Sequence, residues 1–384
     1  MRPNQDVSTG RESLDPRGLV DSARSLSGAR DDELRHSTAL EQLAFSLDEE
    51  GRLSPAGQRR ARKSLVRSLV EQIETTRRVA EKPDLGRRRI RPVVVTGLLR
   101  TGTTFLQHLL AQHPGLRAPA LWELMAPARR DPPEDLIAHC EAYVAEYDRL
   151  APEFKNIHPL RAELPEECHR LTATTFHDPI FALRYHVPRY SEWLDGRSMV
   201  PAYRYHRTQL SVLLDRIPGG RILLKGPSHL WYLDDLAEVY PDALVIRLHR
   251  SPAVAVPSVC SLTSVVRGAS SAAVDDREIG DYWLNRAASV LDGLHREDGP
   301  FRQPLLDVRY ADLVGDPMKV VTRVCEAADL PLTEDVRERM DRHLAANRAP
   351  GGHAYRAERF GLSATALAGR FSGYIEEFAV PKEA

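Results

Sequence analysis

Residues 93–110 read VVVTGLLRTGTTFLQHLL: an unbroken apolar run up to Gly97, four intervening residues, then Gly102-Thr103-Thr104 opening a segment of helical spacing. An apolar run with no polar alternation suits a strand buried on both faces of a parallel sheet. A Gly-rich turn between such a strand and a helix is the setting in which backbone N–H groups and a helix N-terminus cradle a phosphate. The spacing matches GxxxxGK[ST] except that Thr103 stands in the lysine position, and the basic residue sits three positions earlier as Arg100. Without that lysine the loop lacks the point charge that reaches β- and γ-phosphates. It is expected to hold a 5′-phosphate-like group well and a Mg²⁺-bound triphosphate poorly.

Three further apolar runs follow, RILLK at 221–225, ALVIRLH at 243–249 and PLLDVRY at 304–310, each succeeded by a helical pattern. Ser251-Pro252 and Asp316-Pro317 read as N-cap and first-turn pairs, and Gly115 follows the helix that starts near Thr103. Strand, crossover helix, strand is the α/β signature. The expected architecture is an α/β, P-loop-like parallel sheet flanked by helices. Residues 1–90 are expected to form an N-terminal tail and helical segment, and 91–384 the main domain. Within that domain, 120–215 reads as a helical insertion walling the acceptor side.

The first hundred residues hold a single aromatic, Phe45, so the main core is expected to start later, with residues 1–35 a flexible or loosely docked tail. Residues 52–91 carry thirteen Lys/Arg against four Asp/Glu, net +9, with Leu65, Val66, Leu69, Val70 and Ile73 at helical spacing. Lacking interleaved aromatics for base stacking or interfacial anchoring, this segment reads as a solvated helix face, not a nucleic-acid or membrane patch.

Over the whole chain of 384 residues the balance is 53 Lys+Arg against 54 Asp+Glu, which argues against a nucleic-acid partner bound by bulk charge. Four separated cysteines, with no CxxC, indicate neither a disulfide framework nor a zinc knuckle. No apolar run is long enough to span a bilayer and the N-terminus lacks a signal-peptide core, so a cytoplasmic location is expected. No tight metal-ligand spacing such as HExxH occurs, so no metal is expected.

Arg250 closes the third run, and Ser258 follows eight positions on. That distance is a turn plus about a turn and a half of helix, so guanidinium and hydroxyl can converge on one phosphate. Together, GLLRTGTTF and RSPAVAVPS resemble the two nucleotide-binding segments of the sulfotransferase family that uses 3′-phosphoadenosine 5′-phosphosulfate (PAPS). LLKGPSHL at 223–230 resembles its lysine-bearing strand end, and VRYADLVGDP at 308–317 its segment beside the adenine. LPEECHRL, YRYHRTQL, HAYRAERFGLS at 353–363 and FSGYIEEF resemble the bacterial branch.

The resemblance implies that Arg100, Thr101, Gly102, Thr103 and Thr104 grip the 5′-phosphosulfate, that Arg250 and Ser258 hold the 3′-phosphate, and that Phe105 and Tyr310 lie near the adenine. Arg100 stands where the cytosolic enzymes usually have Lys, and Phe105 where they usually have Trp. Arg at that position donates bidentately and without a change of protonation. Sulfuryl transfer needs a base for the acceptor hydroxyl, cations at the leaving oxygen and a dry cavity. Arg100 and Lys225 are the expected cations. Glu123 and His229 compete as base, Glu123 slightly favoured, with His229 four positions after Lys225 instead of two as in the cytosolic branch. Gly226-Pro227-Ser228-His229 is no serine-hydrolase elbow, since Leu230 occupies the second glycine position.

The acceptor is expected to be a hydroxylated small molecule, lipid or sugar, and Trp122, Phe176, Phe181, Tyr185, Tyr190 and Trp193 offer aromatic surface for it. Oligomeric state is not legible. The alternatives are a P-loop kinase or NTPase and a non-catalytic nucleotide-binding module.

Overall fold

The computed structural model describes residues 12–30, 37–217, 219–294, 304–347 and 356–383. The apolar runs form β1 (Val93–Gly97), β3 (Arg221–Lys225), β4 (Leu244–His249) and β5 (Leu305–Arg309). A further strand, β2 (Leu116–Arg117), is too short to leave a pattern in the sequence. All five pair in parallel, in the order β2-β3-β1-β4-β5.

Register places Val95 opposite Lys225, Gly97 opposite Leu248, and His249 opposite Arg309. The segments that leave β1, β3, β4 and β5, beginning at Leu98, Gly226, Arg250 and Tyr310, therefore start along one edge of the sheet. That carboxyl edge is where open parallel sheets bind ligands.

Alternate side chains of the strands serve two cores. Val93, Val95, Leu223, Ile246 and Leu248 pack with Leu106 and Leu110 of the helix Thr103–Leu110 and with Val320, Val321 and Val324 of the helix Pro317–Ala327. Val94, Leu224 and Val245 face the other way. Burial on both faces is why these strands carry no polar alternation.

The second core corrects two expectations. Leu14, Leu19 and Ala23, on and beside the helix Pro16–Ser27, are buried with Leu40 and Leu43 of the helix Thr38–Glu49. Thus the described part of the supposed tail is docked; residues 1–11 and 31–35 lie outside the described residues. The basic segment forms the 27-residue helix Pro55–Glu81, whose Leu65, Val66, Leu69 and Ile73 share one apolar cluster with Val94 of β1. Aliphatic side chains at helical spacing, each worth about 1.5–3 kcal/mol when fully buried, build this core without aromatics of their own. The rings come instead from the 120–215 insertion, through Phe176, Phe181, Tyr190 and Tyr203.

The insertion is largely helical, with Pro133–Leu150, Pro188–Asp195 and Val200–Arg216 as its longer elements. Asp316 caps its helix by accepting from the Lys319 N–H at 3.0 Å. Ser251 occupies the N-cap position of the helix Pro252–Gly268 without a side-chain bond. Gly115 lies beyond the turn that follows Leu110 and does not cap that helix, whose C-cap is Ala111. Among the described residues no helix is long and apolar enough to cross a membrane.

Candidate active site

The loop after β1 turns sharply. Gly97, Arg100 and Gly102 have φ of +152°, +72° and +92°. A left-handed backbone costs a residue such as Arg100 about 1–2 kcal/mol, so its neighbours must hold it there. They do: Arg100 donates from Nε to Ser258 Oγ at 3.2 Å and from Nη1 to the Ile157 carbonyl at 2.9 Å. Thr101 donates to the Leu98 carbonyl at 2.7 Å. At Gly102 a Cβ would lie 2.8 Å from the Tyr310 ring, so only glycine lets that ring close on the loop.

Arg250 ties the edge together. Its Nη1 donates to the Arg100 carbonyl at 2.9 Å, and its guanidinium stacks 3.9 Å from the Tyr310 ring centroid. The structure thereby gathers Arg100, Gly102, Arg250, Ser258 and Tyr310 from three separate strand ends. Thr103 and Thr104 open the helix, and Phe105 packs, half-buried, beside the Leu106 and Leu313 cluster.

Lys225 is 1% exposed and bridges the loop helix to the insertion, donating to Thr104 Oγ1 at 3.3 Å and to Glu167 Oε1 at 2.6 Å. Glu167 in turn accepts from His169 Nδ1 at 3.0 Å, while Glu166 faces His158 Nε2 at 3.3 Å. Burial raises the pKa of both carboxyls. The Lys225 ammonium outweighs it at Glu167, helped by His169, and His158 outweighs it at Glu166, so both stay below the usual carboxylate range. One ligand atom each of His158, Glu166 and Glu167 lies within 4.8 Å of the others, a grouping with the chemistry of a cation site. The Lys225 ammonium is the cation that Glu167 holds here, and Glu166 faces His158.

A cavity of about 2400 Å³ opens beside this cluster. Leu99, Trp122, Met125, Tyr147, Phe154 and Leu183 give it an apolar wall, and His158, Glu166, Glu167 and His169 line it as well.

The two bases expected from the sequence stand elsewhere. Glu123 belongs to the short helix Leu121–Met125. One of its oxygens accepts from Arg117 Nη2 at 2.5 Å and the other from the Ala120 N–H at 2.8 Å, which makes it a helix-capping, ion-paired carboxylate. His229 is buried with both ring nitrogens engaged, 2.7 Å from Cys168 Sγ and 2.8 Å from Tyr203 Oη. Burial pulls its pKa down to about 4. Neither lines the cavity. Sequence reasoning passed over Glu167, although LPEECHRL, with adjacent carboxylates and a histidine two residues on, carried the signal. Of the aromatics offered for the acceptor, Phe176 and Tyr190 are fully buried in the core, whereas Trp122 and Tyr185 line the cavity.

A parallel sheet with a glycine-rich, lysine-less loop at its carboxyl edge, and arginine and lysine side chains converging there, is an α/β fold whose edge is suited to an anion. Residues 92–335 match the family model described as the sulfotransferase family, and the chain belongs to that family. It is 25% identical over 263 residues to the omega-hydroxy-beta-dihydromenaquinone-9 sulfotransferase Stf3 of Mycobacterium bovis and of Mycobacterium tuberculosis. That match covers 66% of this chain and 66% of either relative's length. Among solved structures, the sulfotransferase STF9 from Mycobacterium avium superposes with a TM-score of 0.83 at 25% identity, covering 99% of this chain and 100% of that one. The sulfotransferase STF1 from Mycobacterium tuberculosis H37Rv gives 0.79 at 28% identity, covering 94% and 100%.

Proposed function

We propose that the chain transfers a sulfuryl group from PAPS to the hydroxyl of an apolar, lipid-like acceptor. The observation that carries this reading is the Lys225–Glu167 pair, set between Thr104 of the phosphate loop and the large apolar-walled cavity. The loop amides with Arg100, Thr101, Gly102, Thr103 and Thr104 receive the 5′-phosphosulfate; Arg250 and Ser258 take the 3′-phosphate; Tyr310 and Phe105 flank the adenine. The 25% identity to a sulfotransferase named for a hydroxylated menaquinone supports the lipid-like acceptor.

In this reading Glu167 replaces Glu123 and His229 as the base. Paired with Lys225, Glu167 is a weak base. With donor in the loop, the ammonium turns from Glu167 to the phosphosulfate oxygens, and the carboxylate, losing its cation, rises in basicity. The acceptor oxygen then bonds to sulfur, the bond from sulfur to the phosphate oxygen breaks, and the acceptor proton passes to Glu167. Lys225 and Arg100 neutralise the charge growing on the leaving oxygen. The products are a sulfate ester and adenosine 3′,5′-bisphosphate. His229, between Cys168 and Tyr203, holds the segment that carries Glu167.

Calorimetry separates this from a kinase. Tight binding of adenosine 3′,5′-bisphosphate, indifferent to Mg²⁺, is expected; Mg²⁺-dependent ATP binding in its place would overturn the reading. Sulfation of a hydroxylated lipid from labelled donor, abolished in Glu167→Gln, distinguishes an enzyme from a binding module.

A further inference from the structure

Among the described residues, three arginines line the cavity with no carboxylate within ion-pair distance of their guanidiniums. Arg67 comes from the long basic helix, Arg170 follows the His169 turn, and Arg184 ends the helix Ile180–Arg184. They gather around Tyr143. Arg67 and Arg170 each lie 5.5 Å from its ring centroid, and Arg170 Nη1 donates to its hydroxyl at 3.1 Å. Arg184 Nη2 reaches His169 Nε2 at 3.1 Å, one hydrogen bond away from Glu167. All three guanidiniums are half-buried, and the Arg170 Nε is buried without a hydrogen-bond partner.

Among the described residues none of the three forms an ion pair, although guanidiniums removed from water are ordinarily paired. Glu71, one turn along the helix from Arg67, and Glu166, near Arg170, act on these guanidiniums only from beyond ion-pair distance. Burial pushes the Glu71 carboxyl up to about 7. Burial lowers the Arg67 pKa, and Arg170 and Arg184 add to the effect. Like charges gathered on one wall with no contacting counter-ion are suited to receive an anion from outside the chain.

We infer that Arg67, Arg170 and Arg184 around Tyr143 form a subsite for an oxyanion carried by the acceptor, so that the acceptor is a hydroxylated anionic amphiphile. The inference rests on the sulfuryl-transfer reading for its hydroxyl end. It adds a second contact to the molecule: a carboxylate or phosphate on the arginines, which stand one histidine away from Glu167, an apolar stem folded back along Trp122, Met125 and Phe154, and the hydroxyl at Glu167. It also gives the basic helix a function that bulk charge did not suggest.

The test compares ω-hydroxydodecanoate, ω-hydroxydodecyl phosphate and the uncharged methyl ester of the first as acceptors for the full chain, with PAPS as donor. At least one anionic acceptor is expected to show a KM about tenfold or more below that of the ester, the size of one charge-assisted contact. The two anionic arms separate carboxylate from phosphate. Arg67→Gln is expected to collapse the ratio toward one, and Arg67→Lys to keep part of it. Equal KM values for charged and uncharged acceptors in the wild type would overturn the subsite and leave the transfer reading standing. If none of the three is sulfated, calorimetry with dodecanoate and dodecyl phosphate on protein saturated with adenosine 3′,5′-bisphosphate decides. Binding weakened by Arg67→Gln upholds the subsite, and no binding of either overturns it. Failure of the bisphosphate itself to bind would instead strike the donor reading.

Discussion

Arg250 is held by Glu383: the guanidinium donates from Nε and Nη2 to the Glu383 carboxylate at 2.7–3.1 Å while stacking on Tyr310. The same guanidinium is the group assigned to the 3′-phosphate. It cannot present one fork to two anions, so carboxylate and phosphate compete.

Glu383→Ala is therefore expected to tighten adenosine 3′,5′-bisphosphate binding by about three- to tenfold, and Arg250→Ala to weaken it by about tenfold to a hundredfold, the range of a hydrogen bond to a charged group. Titration calorimetry at fixed salt reads both. Equal affinity in the two variants would refute the competition.

Glu167→Gln is expected to lower kcat by about a hundredfold or more while leaving bisphosphate affinity within about threefold, because a base acts in the transition state and not on the bound nucleotide. Glu123→Gln should do the reverse. It loses the Arg117 ion pair and the cap on Ala120, which costs about 1–3 kcal/mol of stability with kcat largely kept. Steady-state kinetics beside thermal melts separates the two glutamates.

Acid is expected to loosen the site before it protonates the carboxylates. The folded pKa of His229 is about 4 because burial disfavours its charged form. Unfolded, the same imidazole titrates near 6.5, so the unfolded state binds the extra proton as pH falls through the interval between. Stability is full above about pH 6.5 and declines below it, by about 2 kcal/mol at pH 5 from this residue alone. Glu167, held low by Lys225, acts later: its contribution is present above the unfolded carboxyl pKa, near 4.3, and is lost as pH falls further. Urea melts at pH 7 and pH 5, with His229→Gln shrinking the difference by about 2 kcal/mol, check the sign; buried His169 and His206, also depressed, keep the rest.

Leu65→Ala, in the middle of the Pro55–Glu81 helix, should cost about 2–5 kcal/mol, as for any fully buried leucine. A loss under about 1 kcal/mol in urea unfolding would mean that the helix is peripheral to the fold.

β1, β3 and β4 were legible because burial on both faces leaves apolar runs, edge strand β5 through Leu305, Leu306 and Val308 although Asp307 and Arg309 break its run, and the loop because glycine and threonine spacing survives in one dimension. β2 was not, since two residues hold no period. The N-terminal helices carry almost no aromatic signal, yet Leu19, Leu40 and Leu65 build a core without it. Glu123 stands near where the family resemblance implies a glutamate base, yet Arg117, six residues earlier, already claims it. Glu167 escaped because its partner Lys225 lies 58 positions away, and such pairing exists only after folding.

The match to the sulfotransferase family begins at residue 92, but the physical unit begins earlier. One face of the Pro55–Glu81 helix closes the core against Val94, and its basic side supplies Arg67 to the cavity. A fragment cut at Pro92 would retain every residue proposed to hold the nucleotide, yet it would bare a greasy seam and lose one side of the proposed acceptor chamber. Such a fragment is expected to clump and, where it survives, to bind nucleotide while discriminating poorly among alcohols.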